Sequence, residues 1–376
     1  MRKGRLGLRI AGRWVLYTFA ACVLVVLLAA VGMVCLNASI RARYARELVI
    51  RSPDGIDWGG FVTIGGVPQW IRIRGQHLSN PTLLILHGGP SDAQSELTKL
   101  YSPLEEQFTV VQWDQRGAGR TFGRGVRLDA DLPYQRLVDD GFEVTRYALH
   151  RLHQDKLILL GHSLGSALGV HMVKERPDLF YAFVGTGFLV AQSAHESAVD
   201  LKLRRLARER NDTDTLMTLE HVGPAPYRSS RDYLTVDEIV RDRYGDPSDR
   251  AFWGFNPASE PGYVFTSPEL TIGEMIDWYR AIQTSIFETH YVPDSHMDVR
   301  PLGYAFQVPV FIIQGDNDWE APTELAAAYF EKIQAPHKEY ISLPGGHWAA
   351  MVHMQQFTAL LVSHVRPFAM TGAASR

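Results

Sequence analysis

The sequence predicts an α/β fold built on a mostly parallel sheet, and two observations support this prediction. Short apolar runs typical of buried strands recur along the chain, among them TLLIL at 82–86 and KLILL at 156–160. Stretches with helical spacing of apolar residues separate them, as in LVDDGFEVTRYALHRL at 137–152. Strands that alternate with helices in this way form parallel sheets, and they are apolar throughout because helices cover both faces of the sheet.

Composition limits the classes of protein that fit this chain. Its 376 residues, 46% of them apolar and 21% charged, are enough for a large core with an insertion. The formal net charge of −3 argues against a nucleic-acid partner. Both cysteines, Cys22 and Cys35, lie in an amino-terminal apolar segment, so the rest of the chain can form no disulfide of its own and offers no thiolate metal site. We expect no cofactor. We also expect no metal, since the chain has no HExxH pattern and DSHMD at 294–298 lacks helical ligand spacing.

The amino-terminal apolar segment predicts a membrane anchor. Residues 14–36 are 23 residues without a charge, which is enough to cross a bilayer as a helix. Five basic residues precede this run and four follow it closely, so the positive-inside rule places residues 1–13 in the cytoplasm and the large domain outside it. The alternative is a cleaved signal peptide, which would need a small-x-small cleavage site, and VCLNASIRA offers a poor one.

The elements of the large domain follow in chain order. FVTIGGVPQWIRIRG predicts a hairpin that turns at Gly65 and Gly66. TLLILHGG, FTVVQWDQRG and KLILLGHS predict three buried strands, and VPVFIIQGDND and KEYISLPGGH predict two more with the helical TELAAAYFEKI between them. We therefore expect a core made of two parts, residues 47–190 and residues 304–370.

Between these two parts, at 191–303, the alternation of strands and helices lapses. The segment contains the charged helical run ESAVDLKLRRLARER and a second helical run, ELTIGEMIDWYRAIQ, whose start is predicted by Ser267 and Pro268. We expect a largely helical cap that lies over the open end of the sheet and shapes a substrate pocket.

The GHSLG motif at 161–165 predicts a serine nucleophile. Glycines two residues before and two after a serine are needed where the chain reverses so sharply that a Cβ would clash, and the serine hydroxyl then projects from the corner. A serine nucleophile also requires a base and an orienting carboxylate at later strand ends. Asp318 closes VPVFIIQGDND, with Asp316 as the alternative acid, and His347 follows YISLPGG. The order predicts a triad of Ser163, Asp318 and His347.

Two neighbouring segments bear on the same chemistry. HGGP at 87–90 directly follows a strand, so its N–H groups face the elbow, and we predict that the amides of Gly89 and Leu164 form an oxyanion hole. The alternative is that these glycines only turn the chain. His162 adjoins Ser163, and we expect it to point into the scaffold.

Three motifs carry a resemblance to a known family: HGGP, WDQRGAGR at 113–120, and the GHSLG elbow. With them the chain resembles α/β-hydrolase fold enzymes, and more narrowly the prolyl iminopeptidase family, from about Phe61 to Val365. Ser91 stands where the family has glycine, AGRT replaces its x-G-x-S, and Leu164 replaces its tryptophan. The resemblance places the catalytic acid three residues after Gly315, which favours Asp318. We expect Arg116, within DQRG, to be a structural clamp.

The resemblance also implies a substrate class. Prolyl iminopeptidases neutralise the substrate ammonium with glutamates of the lid, and FETHY at 287–291 resembles the family's ENHY run, which nominates Glu288. The sequence thus predicts a serine hydrolase that acts through an acyl-enzyme on small peptides or amides with a free amino terminus. The alternatives are a hydrolase of small carboxylic esters and, from another class, a ligand-binding protein that keeps the fold without turnover.

Overall fold

The computed structural model of the chain describes residues 2–89, 91–124, 134–227, 229–254, 259–289 and 297–373; side chains at 2–13, 15, 260–261, 285–289 and 371–373 are not described. Within this part, eight strands form one sheet in the order β1-β2-β4-β3-β5-β6-β7-β8. The strands are β1 (Ile56–Ile64), β2 (Val67–Gly75), β3 (Thr82–Leu86), β4 (Thr109–Asp114), β5 (Leu157–His162), β6 (Phe180–Thr186), β7 (Val310–Gly315) and β8 (Lys338–Leu343).

The pairing of the strands follows from their burial. The β1–β2 hairpin turns at Gly65 and Gly66, both at positive φ, and β2 pairs antiparallel with β4. From β4 to β8 all pairs are parallel, and β3, β4, β5 and β7 are buried at every position. Strands buried on both faces carry apolar residues throughout, as the sequence shows. The predicted fold class, a mostly parallel sheet flanked by helices, is confirmed.

The helices lie before, between and after the strands. They are α1 (Arg2–Glu47), α2 (Thr98–Tyr101), α3 (Tyr134–Leu152), α4 (Leu164–Glu175), α5 (Gln192–Glu209), α6 (Thr213–Val222), α7 (Ser230–Ile239), α8 (Pro247–Trp253), α9 (Glu260–Thr266), α10 (Ile272–Thr289), α11 (Thr323–Lys332), α12 (Ala349–Val352), α13 (Met354–Leu360) and α14 (Arg366–Ala373). In the described part of the segment between β6 and β7, all of the regular structure is helical, from α5 to α10.

Two elements differ from the prediction. β6 was not predicted from the sequence, because periodicity alone cannot tell a short apolar run such as FYAFVGT from a buried helix. Pro177 before the run and Gly187 after it are turn signals that could have identified the strand. α10 starts at Ile272, later than Ser267 and Pro268 indicate. Its first turn is closed by Thr271, whose hydroxyl and N–H both donate to the Glu274 carboxylate, a stronger start signal than the Ser-Pro pair.

Three apolar clusters hold these layers together. Neighbouring residues of one strand point to opposite faces, so Leu84 and Leu159 join the cluster on one side of the sheet and Leu83 and Ile158 join the cluster on the other. A third cluster lies among α5, α6 and α7 and contains Trp319, which directly follows the predicted catalytic acid. The helical segment is therefore packed against the carboxyl end of β7.

The amino-terminal helix α1 contains a segment, Leu16–Glu47, that is long and apolar enough to cross a membrane, a test that a signal sequence also passes. Its side chains from Leu16 to Leu36 are all exposed. Close to the end of the helix, Tyr44 and Leu48 are buried against the rest of the protein, and Lys99 pairs with Glu47 at 2.7 Å.

Candidate active site

Ser163 occupies a sharp corner between β5 and α4. Its backbone lies at φ +54° and ψ −124°, a conformation that costs a non-glycine residue on the order of 1–3 kcal/mol. A Cβ at Gly161 would clash with the carbonyl of Gly165, and a Cβ at Gly165 would clash with the carbonyl of Leu86. Both glycines are thus required by close approach, as the GHSLG pattern predicts. Ser163 is partly exposed, and its N–H donates to Thr186 O at 2.9 Å.

His347 and Asp318 meet in the loops that follow β8 and β7. The Nδ1 atom of His347 lies 3.0 Å from Oδ2 and 3.1 Å from Oδ1 of Asp318, and both side chains are buried. Asp318 is itself held by Gln314 Nε2, which donates to Oδ2 at 2.8 Å, and by the N–H of Ala321, which donates to Oδ1 at 2.7 Å. The exposed Asp316 instead accepts the Gly345 N–H at 3.0 Å. The geometry pairs His347 with Asp318 rather than with Asp316.

The end of β6 lies between the serine and the histidine. Ser163 is hydrogen-bonded to Thr186, and a Cβ at the next residue, Gly187, would lie 2.7 Å from Cε1 of His347. On the other side, a Cβ at Gly88 would lie 2.8 Å from the Ser163 Cβ, so the HGGP loop borders the serine. Of the predicted oxyanion residues, Gly89 follows in that loop at φ +109° and Leu164 starts α4. Pro90 lies outside the described residues.

Asp249, in α8, binds the histidine loop and was missed by the sequence analysis. Its Oδ2 accepts the N–H of His347 at 2.7 Å, and its Oδ1 accepts the N–H of Trp348 at 3.0 Å. Burial raises the pKa of the Asp249 carboxyl to about 6. No sequence motif predicts this role, because Asp249 binds backbone amides that lie 98 and 99 positions later in the chain. The helical segment therefore helps to hold His347 in place.

A second carboxylate, that of Glu320, lies close to the other nitrogen of His347. Glu320 Oε2 is 3.6 Å from His347 Nε2, which is an ion-pair distance. Burial opposes the charge on His347, but the carboxylates of Asp318, Glu320 and Asp249 outweigh it and raise the pKa of His347 above its ordinary value. The imidazole therefore holds its proton more tightly than an isolated histidine does.

His162 and Arg116 lie in the scaffold. His162 is fully buried, its Nδ1 lies 3.1 Å from the Thr186 hydroxyl, and its ring packs 4.8 Å from that of His347. Burial lowers the pKa of His162 well below its usual value, so it is a neutral packing partner. Arg116 forms an ion pair with Asp140 and donates to Gly65 O at 2.7 Å, which ties the hairpin turn to α3.

An acidic pocket extends from Glu320 between the core and the helical segment. It is lined by Glu196 of α5, Asp237 of α7 and Glu320, together with aromatic side chains of Tyr227, Tyr233 and Trp319. No lysine or arginine is among the described residues that line it, but Asp237 pairs with Arg241 Nη1 at 3.1 Å from outside the lining. Its volume of about 30 Å³ admits a group the size of a water molecule or an ammonium. The Glu288 side chain, the sequence-predicted ligand for an ammonium, lies outside the described part.

Comparison with known families places this arrangement among hydrolases. The family model described as alpha/beta hydrolase fold matches residues 81–354. The chain is 26% identical over 308 residues to the probable aminopeptidase YbaC of Bacillus subtilis, which covers 81% of this chain and 95% of that protein. It is 24% identical over 247 residues to a probable proline iminopeptidase of Streptomyces coelicolor, which covers 63% of this chain and 73% of that protein.

A solved structure shows the same architecture. The proline iminopeptidase of Mycobacterium smegmatis superposes with a TM-score of 0.53 and 19% sequence identity, over 84% of this chain and 100% of that protein. At this identity the likeness concerns the fold alone. The resemblance to prolyl iminopeptidases that the three motifs carry is confirmed by the two sequence relatives.

Proposed function

Because the chain belongs to the α/β-hydrolase fold family, we propose that it is a serine hydrolase that works through an acyl-enzyme. In this mechanism Ser163 attacks the substrate carbonyl carbon, and His347 Nε2 takes the hydroxyl proton and passes it to the leaving group. Asp318 accepts a hydrogen bond from His347 Nδ1 and so presents Nε2 to the serine. The amides of Gly89 and Leu164 stabilise the developing oxyanion, and water then hydrolyses the ester formed with Ser163.

The substrate that the site supports best is a small peptide or amide with a free amino terminus. The acidic pocket is the observation that supports it, because Glu320 lies 3.6 Å from His347 Nε2 and two further carboxylates line the same pocket. A substrate whose carbonyl meets Ser163 has its α-ammonium only two bonds from that carbonyl carbon. Desolvation raises the pKa of the Glu320 carboxyl to about 8. A cation bound there stabilises the ionised carboxylate and gains Coulomb stabilisation from it, whereas a neutral acyl chain does not.

Three substrates with matched aryl leaving groups test this assignment, an arylamine for the two amides and the corresponding phenol for the ester. A proline arylamide, its amino-blocked form and a short acyl ester are compared on the wild type and on Glu320→Gln. We expect the free amine to be preferred and the variant to lose roughly tenfold or more of that preference, the size of a charge-assisted contact. The ratio between substrates is the readout, since an effect on His347 alone changes all three rates together.

Two further variants make the comparison specific. Glu324→Gln removes a carboxylate that borders a different groove, on the far side of Trp319 from the acidic pocket. This variant should leave the preference for the free amine unchanged. Glu288→Gln tests the residue nominated by the sequence. Preference for the ester, unaffected by Glu320→Gln, would move the assignment to a hydrolase of carboxylic esters, and no turnover of any substrate would favour a ligand-binding protein.

We also propose that α1 is a retained membrane anchor, with residues 14–36 in the bilayer, and that the catalytic domain lies outside the cytoplasm. The burial of Tyr44 and Leu48 supports this, because the helix that would span the membrane continues into contacts with the catalytic domain. The excess of basic residues before residue 14 supports the orientation.

A further inference from the structure

The membrane-anchoring helix is attached to one particular part of the catalytic domain. The apolar run ends at Leu36, but α1 continues without a break to Glu47. In its next turns, Asn37 Nδ2 donates to Phe265 O at 3.0 Å and Arg41 Nη2 donates to Leu270 O at 2.6 Å. The end of α9 and the link to α10 are therefore held beside the first turns of α1 that follow the apolar run.

These attachments fix the depth of the link between α9 and α10. At a rise of 1.5 Å per residue, Asn37 lies about 1.5 Å and Arg41 about 7.5 Å beyond Leu36 along the helix axis. The headgroup layer on each side of a bilayer is roughly 5–8 Å thick. When residues 14–36 fill the hydrocarbon core, the backbone of Phe265 and Leu270 thus lies at the level of the headgroups.

The helix that starts at this level presents apolar side chains to its surroundings. Ile272, Ile276 and Tyr279 are 75%, 47% and 53% exposed, and their spacing of four and three residues puts them on one face of α10. Phe265 is 37% exposed at the end of α9. Contiguous exposed apolar side chains mark contact surfaces, and tyrosine is enriched where protein meets the bilayer interface.

We propose that the face of α10 formed by Ile272, Ile276 and Tyr279 docks on the surface of the bilayer that holds α1. The proposal rests on the membrane anchoring inferred above. A lipid surface fits this face better than a protein partner because the face is continuous with the point where α1 leaves the bilayer. Arg280, 67% exposed on its side chain, follows Tyr279. Its Nη1 lies 3.8 Å from Asp277 Oδ1, and its exposed guanidinium can also meet lipid phosphates.

The inward side of the same helix reaches the active-site loop. Trp278 Nε1 donates to Ala93 O at 3.1 Å, and Ala93 lies four residues after Gly89. The bilayer surface would therefore lie about one helix diameter, roughly 10 Å, from the loop that borders Ser163.

Depth-dependent fluorescence quenching tests the docking with the full chain in vesicles of phosphatidylcholine and phosphatidylglycerol. Single-cysteine proteins are labelled with a small fluorophore and reconstituted with and without brominated lipid. The native Cys22, in a Cys35→Ser background, reports the anchor. Ile276→Cys reports α10 and Leu201→Cys is the control, both with Cys22→Ser and Cys35→Ser. Leu201 is 70% exposed and borders the same groove as Leu325 of α11, near β7. Arg74 of β2 donates to Leu48 O, directly after α1, so α1 ends near β2, and Leu201 lies toward the opposite end of the sheet.

The outcomes separate docking from anchoring. We expect brominated lipid to quench the labels at positions 22 and 276 and not the label at position 201. Quenching at 22 alone would overturn the docking of α10 and leave the anchor in place. Equal quenching at 276 and 201 would likewise overturn it, since contact would not be specific to α10, and no quenching at 22 would remove the anchor and the docking together.

Discussion

His347 lies between two carboxylates, with Nδ1 3.0 Å from Asp318 Oδ2 and Nε2 3.6 Å from Glu320 Oε2. A base that must take a proton from serine works only when it is neutral, and both carboxylates stabilise its charged form. Glu320 therefore sets part of the pH dependence of the reaction as well as the charge of the pocket.

Glu320→Gln should move the acidic limb of the pH–rate profile to lower pH. Desolvation raises the pKa of Glu320 to about 8, so its negative charge beside Nε2 is present above that pH. Removing this charge lowers the pKa of His347, so the imidazole becomes neutral at lower pH. The profile of kcat/KM for the ester substrate measures this, because that substrate has no ammonium to bind. An acidic limb that stays in place or moves to higher pH would show that Glu320 does not act on His347.

Asp318→Asn should lower kcat by about three to four orders of magnitude, because the amide favours the wrong tautomer of His347. Asp316→Asn is the matched control, since its carboxylate is exposed and accepts the N–H of Gly345 rather than a hydrogen bond from His347. We expect that variant to remain within a few-fold of the wild type. A larger loss in Asp316→Asn than in Asp318→Asn would mean that the acid had been misassigned.

Asp249→Asn should change the pH dependence of stability. The pKa of Asp249 is raised to about 6 in the folded protein from an ordinary value of 3.8, so the folded state keeps its proton at pH values where the unfolded state has lost it. The stabilisation by this group is therefore complete below pH 3.8 and is lost as pH rises to about 6, by roughly 2–3 kcal/mol.

Melting temperatures at a series of pH values measure this effect. The melting temperature of the wild type should fall relative to that of Asp249→Asn between about pH 4 and 7. The exposed Asp242, on the same helical segment, supplies the control, because Asp242→Asn should follow the wild type at every pH. A wild type that gains stability over the variant as pH rises would indicate that the two loop amides lower the pKa of Asp249 instead.

A fusion to a phosphatase that works only outside the cytoplasm tests the orientation. Placed after Arg376, this phosphatase should be active. The reason is the excess of basic residues before the apolar run, which keeps the amino terminus in the cytoplasm. The same phosphatase fused after Arg13 has no spanning segment before it and should be inactive. Activity of the fusion after Arg13, with none in the fusion after Arg376, would overturn the orientation.

The sequence predicts the core well because local patterns carry the information. Ser163 is flanked by glycines whose need can be read from the chain, and Asp318 follows an apolar run that forms a fully buried strand. His347 follows β8, a half-buried strand, after a Gly-Gly turn. Asp249 and Glu320 carry no such pattern. Asp249 reaches the histidine loop from α8 of the helical segment, and Glu320 reaches His347 from the loop after β7, two residues beyond Asp318. Only the folded structure shows that either one lies beside His347. The strand β6 was missed because periodicity alone cannot tell its short apolar run from a buried helix.

The most direct test of the account is to map the residue that a fluorophosphonate modifies. The wild-type protein is labelled, digested and sequenced by mass spectrometry, beside Ser163→Ala and Ser166→Ala; Ser166 is the neighbouring serine, buried in α4. We expect the adduct on Ser163 in the wild type and in Ser166→Ala, and no adduct in Ser163→Ala, with all three proteins folded. An adduct that persists in folded Ser163→Ala, or that maps to another serine in the wild type, would contradict the assignment of Ser163 as the nucleophile.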